Sequence, residues 1–600
     1  MHHSRSIDRH IGRPNMSKVQ VAALKTIEDN GHCVTPTDKT NRMTVFDKTF
    51  LAKKLDESVL NRNLFEPLSG DQSHKIEADA NLIWSEIVCS RPSITDKQHD
   101  DFVKRHSRAP ALKILLKDHK AGFPDCKVRT IQPVRGSAVE NFDTLLGLIF
   151  GQCRRFHRYT VCNSVQFLER IKGLTVHTES IQFSMDIESM FPSLPTCERA
   201  VGVVEKHLNR HREHLNLFGL EVCDVISILR FVLRNIILES NGSAYRQLSG
   251  VGTGYHSSVG YAGIIVDEMV VEILQDSTRV EGFSVYVDDS WGIFNGPLED
   301  LKVLQAQFNS YWEGLNFTME VEDSSNSIVF LDLRIVRRED SLVTYFYRKD
   351  THSGSYLHFS SHCPMVQKIN IVRNEVRRIV GNCTQREDAE PHIKILRDNL
   401  LRSGYPDHFI TKYIEEGLRG RAPAPLKQVE EDENLTVLAI PYISEAYTRV
   451  VKKEAERSGL KVRVLVKGHP TLKRRYHKPI KPQCVCEICQ AGVPCDMRHV
   501  VYEAKCESCT ESYIGVTTRP FKARWNEHER SIRLGNSTSA LSDHLKVCDN
   551  KNKTICGFKW SVRDTARNYK DSFIREGVAI RLDQPKINRN TPAWVQYAMF

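Results

Sequence analysis

Two apolar, β-rich arms around a pair of carboxylates form the clearest pattern along the chain. The run Phe283–Phe294 reads Phe-Ser-Val-Tyr-Val-Asp-Asp-Ser-Trp-Gly-Ile-Phe. This pattern predicts a strand, a tight turn and a second strand, with Asp288 and Asp289 at the tip. Another predicted strand ends at Asp186, and the chain then turns into a helix near Pro192–Glu198.

Helical periodicity dominates much of the remaining sequence. Helices are predicted at Lys18–Glu28, through much of 50–103, at Ser258–Leu274 and within 365–425. The segment Ala439–Val466 predicts a strand, a helix and a second strand. The chain contains no internal repeat and no low-complexity tract. A mixed chain of helices and strands is therefore expected.

Length and composition indicate a globular protein of several domains. Six hundred residues are too many for one core, so two to four domains are expected. Apolar residues make up 40% and charged residues 26% of the chain, which is ordinary for a globular protein. No apolar run approaches membrane-spanning length and Met1–His10 has no apolar signal core, so an intracellular protein is expected. The net charge of +10 is compatible with a polyanionic partner.

The adjacent carboxylates of Asp288 and Asp289 repel each other, which a divalent cation would relieve. Hard cations such as Mg²⁺ take oxygen ligands and are often held by one or two carboxylates plus substrate phosphates. A carboxylate at the end of a buried strand, as predicted for Asp186, is costly unless it is paired or binds metal. It is therefore a candidate third ligand in a two-metal phosphoryl-transfer site. For the Asp-Asp pair alone, the alternative is an ordinary solvated turn.

Two further stretches suit phosphate or nucleotide binding. The segment Leu112–Val134 predicts a hairpin with four basic side chains: Lys117, Lys120, Lys127 and Arg129. Such a hairpin suits a triphosphate or a phosphate backbone, and a solvated basic hairpin is the alternative. The stretch Tyr245–Gly254 precedes a helix and has a glycine at every second position: Gly250, Gly252 and Gly254. Glycines at these positions let a backbone approach a ligand closely.

Seventeen cysteines in a chain without a secretory signal argue for metal ligands and against a disulfide framework. Four of them have the spacing of a tetrahedral zinc site: Cys484, Cys486, Cys489 and Cys495. A second set joins a C-x₂-C pair to two residues on one predicted helix face: Cys506, Cys509, His544 and Cys548. Which four ligands share each zinc is left open. Buried reduced cysteines are the alternative, and that alternative fits Cys153, Cys162 and Cys223 better.

These motifs together carry a family resemblance. Asp186 with its Phe-Pro turn, the Gln247–Gly254 loop and Tyr286–Asp289 fall in the order and spacing of reverse transcriptase palm motifs. Four later segments resemble the post-palm and thumb region of Penelope-like retroelements: Phe317–Glu322, Phe330–Arg334, Tyr347–His352 and Tyr356–Pro364. The resemblance covers roughly Thr35 to Ile440.

The resemblance implies a right-hand polymerase with fingers, palm and thumb. Three matched residues would bind the catalytic Mg²⁺ or Mn²⁺ ions: Asp186, Asp288 and Asp289. Six would contact substrate: Lys117, Lys120, Arg129, Phe191, Gln247 and Gly250. Phe191 matches the residue that blocks a ribose 2′-hydroxyl, Gln247 the glutamine beside the incoming nucleotide, and Arg129 the fingers arginine on its triphosphate. The chain departs from the family at Gly252–Ser258, where a small-Met-Gly-Ser-Pro run is usual, and this affects the fit of the base pair.

The C-terminal region carries a second ordered set of residues, in two β-like stretches and the segments after them. The set is Tyr502, Tyr513, Arg524, His528, Glu576 and Asn588. A lone tyrosine pair in a hairpin is usually core, but the full set resembles the GIY-YIG nuclease domain in its Penelope-like version. The departures are Val-Val-Tyr in place of Gly-Ile-Tyr, and Cys548 where a histidine is common.

The second resemblance also implies individual roles. Glu576 would bind one divalent metal at the scissile phosphate. Tyr502 would activate water, with Tyr513 in support. Arg524 would neutralise charge in the transition state, where preorganised positive charge is effective. The histidine and the asparagine of the set would position groups around the site.

The expected fold is α+β and multidomain: a right-hand polymerase followed by a small α/β GIY-YIG nuclease domain with zinc sites. Residues 1–105 would hold an N-terminal helical region and the start of the fingers, and 106–300 the fingers and palm. The end of the palm and a helical thumb would occupy 301–425. A linker with a basic stretch and a cysteine cluster would occupy 426–495, and the endonuclease 496–600.

The expected function is that of a retroelement protein that nicks DNA and copies the element's RNA from the 3′-hydroxyl at the target. The expected partners are an RNA template, a DNA target or primer and deoxynucleoside triphosphates, and the cofactors are Mg²⁺ (or Mn²⁺) and Zn²⁺. Nuclear residence is expected, and the basic stretch Lys467–Lys481 is either a localisation signal or a nucleic-acid contact. The alternatives are a catalytically inactive, domesticated nucleic-acid-binding protein and a reverse transcriptase that extends DNA ends without using the nuclease.

Overall fold

The chain divides into two units in this computed structural model, one within residues 1–480 and one within 481–600. The structure describes residues 17–40, 42–60, 63–95, 102–104, 107–118, 122–125, 128–174, 176–177, 179–419, 436–458, 462–468, 487–490, 495, 497–536, 539–552, 557–566 and 569–589. Both units mix helices and strands, as expected for an α+β chain of several domains. The division falls inside 426–495, the predicted linker.

Two small hairpins and three helices form the N-terminal part of the first unit. Its elements are α1 (Lys18–Asp29), β1 (Cys33–Pro36), β2 (Met43–Phe46), α2 (Lys48–Val59), β3 (Phe65–Pro67), α3 (Ser73–Cys89), β4 (Lys113–Leu115) and β5 (Arg129–Ile131). β1 pairs with β2 and β4 with β5, both antiparallel. A parallel bridge between Thr37 and Leu116 joins the two hairpins. Asp47 caps α2 by accepting the N–H of Thr49 at 2.8 Å.

An antiparallel sheet with the strand order β11-β6-β10-β9 lies at the centre of the first unit. The elements here are α4 (Glu140–Cys153), α5 (Ser164–Ile171), β6 (Ser180–Ile187), α6 (Met190–Ser193), α7 (Glu198–Arg210), α8 (Val222–Arg234), β7 (Ile237–Ser240), β8 (Ser243–Gln247), α9 (Ser258–Leu274), β9 (Val280–Tyr286), β10 (Asp289–Asn295), α10 (Leu298–Tyr311) and β11 (Phe317–Val321). α9 is apolar on nearly every face and therefore buried. It shares one core with α4, α7, α8 and the sheet residues Phe183 and Phe283.

The first unit also contains two three-stranded sheets, and three helices follow the second of them. One sheet has the order β3-β8-β7, and the other consists of three strands that follow β11. The following elements are β12 (Ser327–Phe330), β13 (Leu333–Arg338), β14 (Ser341–Phe346), α11 (Met365–Gly381), α12 (Glu390–Arg402), α13 (Asp407–Leu418), β15 (Thr436–Pro441), α14 (Glu445–Arg457) and β16 (Val462–Lys467). The three helices α11, α12 and α13 bury a core of their own around Val372, Leu396 and Ile410. The predicted order of strand, helix and strand is present in β15, α14 and β16, and the two strands pair in parallel.

The second unit contains a three-stranded antiparallel sheet with helices. Its elements are α15 (Glu487–Gln490), β17 (Val500–Cys506), β18 (Ser512–Thr517), α16 (Phe521–Arg533), α17 (Ala540–Asn552), β19 (Phe558–Thr565) and α18 (Tyr569–Asp583). The strand order is β18-β17-β19, so the strand that carries Tyr502 is central. The predicted hairpin is present, and it places Tyr502 opposite Gly515.

The structure confirms the helices predicted at α1 and α9 and corrects two local predictions. The helix expected near Pro192–Glu198 is wrong, because α6 ends at Ser193 and a separate helix, α7, begins at Glu198. Leu194 has an extended ψ of 135°, since the residue before a proline is forced out of the helical region. The hairpin tip is Val287–Asp288, and Asp289 is the first residue of a strand. In the described part of the chain, no helix is long and apolar enough to cross a bilayer.

Candidate functional site

Strand register brings the predicted metal-binding carboxylates together in the first unit. Asp289 pairs directly with Asp186 across β10 and β6, and directly opposed residues have Cβ atoms about 4.5–5.5 Å apart. Asp288 lies in the adjoining turn, where its carbonyl oxygen accepts the N–H of Ile187 at 2.9 Å. Val287 has a φ of +59°, which is strained for a β-branched residue. The three carboxylates therefore converge at one end of the sheet.

Packing on both faces of β10 fixes this register. Trp291 and Ile293 are fully buried in one core cluster, whereas Phe294 belongs to another. Gly292 lies between Trp291 and Ile293 in the strand, and a Cβ at this position would be 2.8 Å from the ring of Phe283. A shift of one residue would move every side chain to the opposite face. The opposition of the two aspartates is thus a consequence of how the strand is buried.

Burial and mutual repulsion raise the pKa of two of these carboxyl groups. The pKa of Asp289 rises to about 7, first through burial and then through the charge of Asp186, while Lys349 opposes the shift. Burial, followed by the charge of Asp288, raises the pKa of Asp186, and the ammonium groups of Lys349 and Lys39 partly offset the rise. Closely spaced carboxylates in such surroundings match the oxygen donor set that binds Mg²⁺ or Mn²⁺.

The glycine-rich loop packs against the turn that follows Asp186. Gly250 has a φ of +71°, and a Cβ there would lie 2.3 Å from the carbonyl oxygen of Pro192. The N–H of Val251 donates to the carbonyl oxygen of Phe191 at 2.8 Å. Gln247 is buried, and its amide donates to the carbonyl oxygens of Ser249 and Val251 at 2.8 and 3.3 Å. Gln247 therefore holds the loop in shape, and the backbone of the loop contacts the carbonyl oxygen of Phe191, the residue predicted to select deoxynucleotides.

The basic hairpin β4–β5 contacts both the glycine-rich loop and the β1–β2 turn. The side chain of Arg129 is 55% exposed, and its Nη1 lies 3.4 Å from Asp38 Oδ1. Thr253 Oγ1 donates to the carbonyl oxygen of the residue after Arg129 at 3.0 Å. Lys117 is half-buried beyond the end of β4, and Lys120 lies outside the described residues. Sequence reasoning missed Asp38, because only its burial beside the hairpin sets it apart.

Most of the arginines on α11, α12 and α13 that could contact nucleic acid are in ion pairs. The pairs are Arg373–Glu416, Arg378–Glu375, Arg378–Asp332 and Arg397–Asp407. Arg377 and Lys394 are exposed and form no ion pair within the described part of the chain. This surface therefore offers fewer uncompensated cations than the composition of the segment indicated.

In the second unit, Tyr502 lies at the centre of a closed hydrogen-bond network. It is fully buried, and its hydroxyl lies 2.7 Å from His528 Nε2 and accepts Arg524 Nε–H at 3.1 Å. Burial raises the pKa of Tyr502 far above its usual value and lowers that of His528 to about 3. A Cβ on Gly515 would lie 2.6 Å from the Tyr502 hydroxyl. Because of this close contact, only glycine fits at position 515, two residues after Tyr513.

The other predicted residues of the set line an open pocket of about 400 Å³: Tyr513, Arg524, His528, Glu576 and Asn588. Tyr502 is not among the lining residues. Burial raises the pKa of Glu576 to about 7, and Arg524 opposes the shift. Asn588 accepts the N–H of Ile514 at 2.8 Å and donates to its carbonyl oxygen at 2.7 Å, which ties the segment after α18 to β18.

The second cysteine set forms a compact cluster that could hold a metal ion. Its ligand atoms all lie within 4.8 Å of one another: Cys506, Cys509, His544 and Cys548. The Sγ atoms of Cys506 and Cys548 are 3.9 Å apart, and Cys509 Sγ is 3.3 Å from His544 Nε2. The pKa of Cys506 falls to about 7, because hydrogen bonds from Cys509 and His544 outweigh the effect of burial. A thiolate-rich set of this kind suits zinc.

The first cysteine set is only partly described. Cys489 is half-buried and Cys495 is buried, both beside Ile488. Cys484 and Cys486 lie outside the described residues. The predicted zinc site formed by these four residues stays a prediction.

Comparisons with known proteins give a partial picture. Residues 355–415 match a family model described as the animal helix-turn-helix domain. Similar solved structures include telomerase from Candida albicans in complex with a TWJ fragment of telomeric RNA (10% identity, 65% of this chain, 66% of that chain, TM-score 0.44). Others are apo telomerase from Candida tropicalis (11%, 65%, 65%, 0.38) and the BmCPV RNA-dependent RNA polymerase at quiescent state (11%, 61%, 33%, 0.33). This chain thus spans less than two thirds of each, and a search of curated proteins finds no match.

Proposed function

We propose that the first unit is an RNA-directed DNA polymerase that extends a DNA 3′-hydroxyl. The observation that carries the proposal is the convergence of Asp186, Asp288 and Asp289 on paired strands. Beside them are a loop whose backbone leaves no room for a Cβ at Gly250 and a hairpin that exposes Arg129. Catalysis of phosphoryl transfer consists almost entirely of positioning and charge stabilisation, and these groups are suited to supply both.

The three aspartates would hold the divalent ions, which would activate the 3′-hydroxyl and stabilise the leaving pyrophosphate. Because the pKa of Asp289 is about 7, a proton competes with metal for this carboxylate at neutral pH. Arg129 and Lys117 would bind the triphosphate through charge-assisted hydrogen bonds. Phe191, under the glycine-rich loop, would exclude a ribose 2′-hydroxyl and so select deoxynucleotides.

The second unit, in the same proposal, is a GIY-YIG endonuclease that nicks DNA. Glu576 would hold one divalent ion at the scissile phosphate, and Arg524 would stabilise the charge that develops there. Tyr513 lines the pocket, whereas Tyr502 is enclosed by His528 and Arg524. This arrangement supports Tyr513 rather than Tyr502 as the tyrosine beside the attacking water. Zinc on the Cys/His cluster would fasten the end of β17 to α17.

The two activities in one chain would let a nick in chromosomal DNA supply the primer for copying a retroelement's RNA in the nucleus. A catalytically inactive nucleic-acid-binding protein is the first rival, and the helix-turn-helix match at 355–415 is the observation that favours it. The second rival is a polymerase that extends existing DNA ends while the nuclease stays idle. Nicked and blunt substrates, compared as primers, distinguish this rival from the proposal.

The primary test is primer extension on an RNA template with deoxynucleotides and Mg²⁺. We expect extension by the natural protein and none by Asp288→Ala/Asp289→Ala. The matched control is Asp340→Asn, which removes an exposed carboxylate beyond the end of β13 and should leave extension unchanged. If the natural protein binds the primed template without extending it, the result would favour a catalytically inactive nucleic-acid-binding protein over a polymerase.

A plasmid-nicking assay tests the second unit. Glu576→Gln keeps the shape of the side chain but removes its charge, and it should abolish nicking while extension continues. Asp288→Ala/Asp289→Ala is the reciprocal control and should nick normally. Nicking by Glu576→Gln at the natural rate would contradict the assignment of this pocket.

A further inference from the structure

Lys39 occupies the turn between β1 and β2 in a conformation that lysine seldom adopts. Its φ is +62°, in the left-handed region. The turn is closed by a 2.6 Å hydrogen bond between the hydroxyls of Thr37 and Thr40. Thr40 Oγ1 also donates to Asp118 Oδ2 at 2.6 Å. The surrounding bonds therefore hold Lys39 in place, as expected where local strain serves a function.

The neighbouring residue, Asp38, joins this turn to the basic hairpin. Asp38 is 5% exposed, and its N–H donates to the carbonyl oxygen of Leu116 at 2.7 Å. Its carboxylate oxygen Oδ1 lies 3.4 Å from Arg129 Nη1. Lys39 and Arg129 are thus presented by adjoining segments that are bonded to each other. A ligand that meets one of these cations is placed to meet the other.

The ammonium group of Lys39 lies close enough to the carboxylate cluster to act on it electrostatically. Its charge is felt at Asp186, where it favours the ionised carboxylate. Lys39 is exposed and forms no ion pair among the described residues. Divalent ions bound by the three aspartates would reverse the local charge from negative to positive. An ammonium group in this place then has an attractive partner only when an anion lies between it and the ions.

We propose that Lys39 contacts the pyrophosphate portion of the incoming nucleoside triphosphate, beside Arg129. The proposal rests on the polymerase function proposed above. The ligand is recognised by its phosphates and not by its base, because the contacting group is a point charge with three donors. No segment of the resemblance to reverse transcriptases assigns a role to this turn.

The test compares Lys39→Gly with the natural protein in steady-state primer extension. Glycine adopts positive φ without strain, so this variant removes the charge and leaves the turn intact. The KM for deoxynucleotide should rise roughly tenfold or more, as expected for the loss of a charge-assisted hydrogen bond. The Kd for the primed template should stay within about twofold, since that ligand does not use the site. Lys39→Arg should restore most of the affinity for nucleotide.

The matched control is Lys53→Ala, which removes a cation whose side chain is 68% exposed on α2. It should leave the KM unchanged. Inorganic pyrophosphate is the second probe: its inhibition constant should rise with Lys39→Gly in parallel with the KM. An unchanged KM, or weaker binding of the primed template in place of the nucleotide, would overturn the proposal.

A binding measurement separates this proposal from the polymerase function itself. Equilibrium binding of a fluorescent deoxynucleotide in Ca²⁺, which does not support extension, needs no turnover. Weaker binding by Lys39→Gly would support the role of Lys39 even if the natural protein failed to extend primers. Equal binding by both proteins would overturn it, and a natural protein that neither binds nucleotide nor extends primers would overturn both proposals.

Discussion

The two candidate sites each contain a carboxyl group whose pKa rises to about 7, but their surroundings differ. At Asp289 the charges of two other aspartates add to the effect of burial. At Glu576 the guanidinium of Arg524 opposes that effect. The first site concentrates negative charge, and in the proposed function it would depend on cations from solution. The second has a cation of its own, so it is suited to work with a single bound ion.

The largest expected effect comes from removing that built-in cation. Arg524→Ala should lower the nicking rate about 10²–10³-fold, the range seen when one preorganised stabilising group is lost. Arg524→Lys should recover little, because Arg524 Nε donates to Tyr502 while Nη1 pairs with Glu527 at 3.1 Å. Single-turnover nicking of supercoiled plasmid measures both variants. Arg530→Ala, an exposed arginine on the same helix, is the control and should nick normally.

The two tyrosines of the second site have different surroundings, because Tyr513 lines the pocket whereas Tyr502 is fully buried behind it. Tyr513→Phe should lower nicking about 10²-fold if its hydroxyl meets the attacking water. Tyr502→Phe should lower it about tenfold and also reduce the free energy of unfolding by about 1–2 kcal/mol, because Arg524 and His528 lose a buried partner. Thermal denaturation and nicking rates on both variants distinguish these roles. The reverse order of the two rate losses would return the water-activating role to Tyr502.

A variant of the Cys/His cluster tests whether primer extension by the first unit depends on the stability of the second unit. Cys548→Ser removes one thiol from the cluster shared by β17 and α17, and residues at the start of α17 line the pocket that contains Glu576. Zinc content should fall and the second unit should melt at a lower temperature, because metal binding contributes to folding. Primer extension should be unaffected. Loss of extension in this variant would show that the first site depends on the second unit.

Sequence patterns identified those site residues that lie close to one another along the chain. Tyr286–Asp289 is one hairpin, and the apolar alternation that predicted its strands also fixes the pairing of Asp289 with Asp186. The second cysteine set was found because C-x₂-C and H-x₃-C spacings are each local. The structure then brought the two halves within ligand distance.

The features that the sequence did not reveal depend on distant partners. Asp38 acts through Arg129, which lies on a different hairpin. The charge of Arg373 is compensated by Glu416, which lies on another helix. Tyr502 and the second tyrosine lie on adjacent strands, and only the packing of α16 and α18 decides which of the two meets solvent. No spacing rule contains this information.

The smallest expected effect concerns stability without divalent ions in the first site. An unfolded aspartate has a pKa of about 3.9, whereas that of Asp289 is about 7 in the folded protein. Between these values the folded protein retains a proton that the unfolded chain releases. The free energy of unfolding should therefore fall as the pH rises from about 4 to about 7.

Asp289→Asn should remove this dependence, because asparagine resembles the protonated acid. Without added Mg²⁺ or Mn²⁺, the variant should match the natural protein only at or below about pH 4 and exceed its stability at pH 8 by on the order of 1–2 kcal/mol. Thermal unfolding of the first unit, recognised as the transition that Cys548→Ser leaves unchanged, measures the difference. Added Mg²⁺ should stabilise the natural protein more than the variant. Glu576→Gln should give a smaller gain at pH 8, since Arg524 already compensates that carboxylate, and an equal or larger gain would contradict the contrast between the two sites.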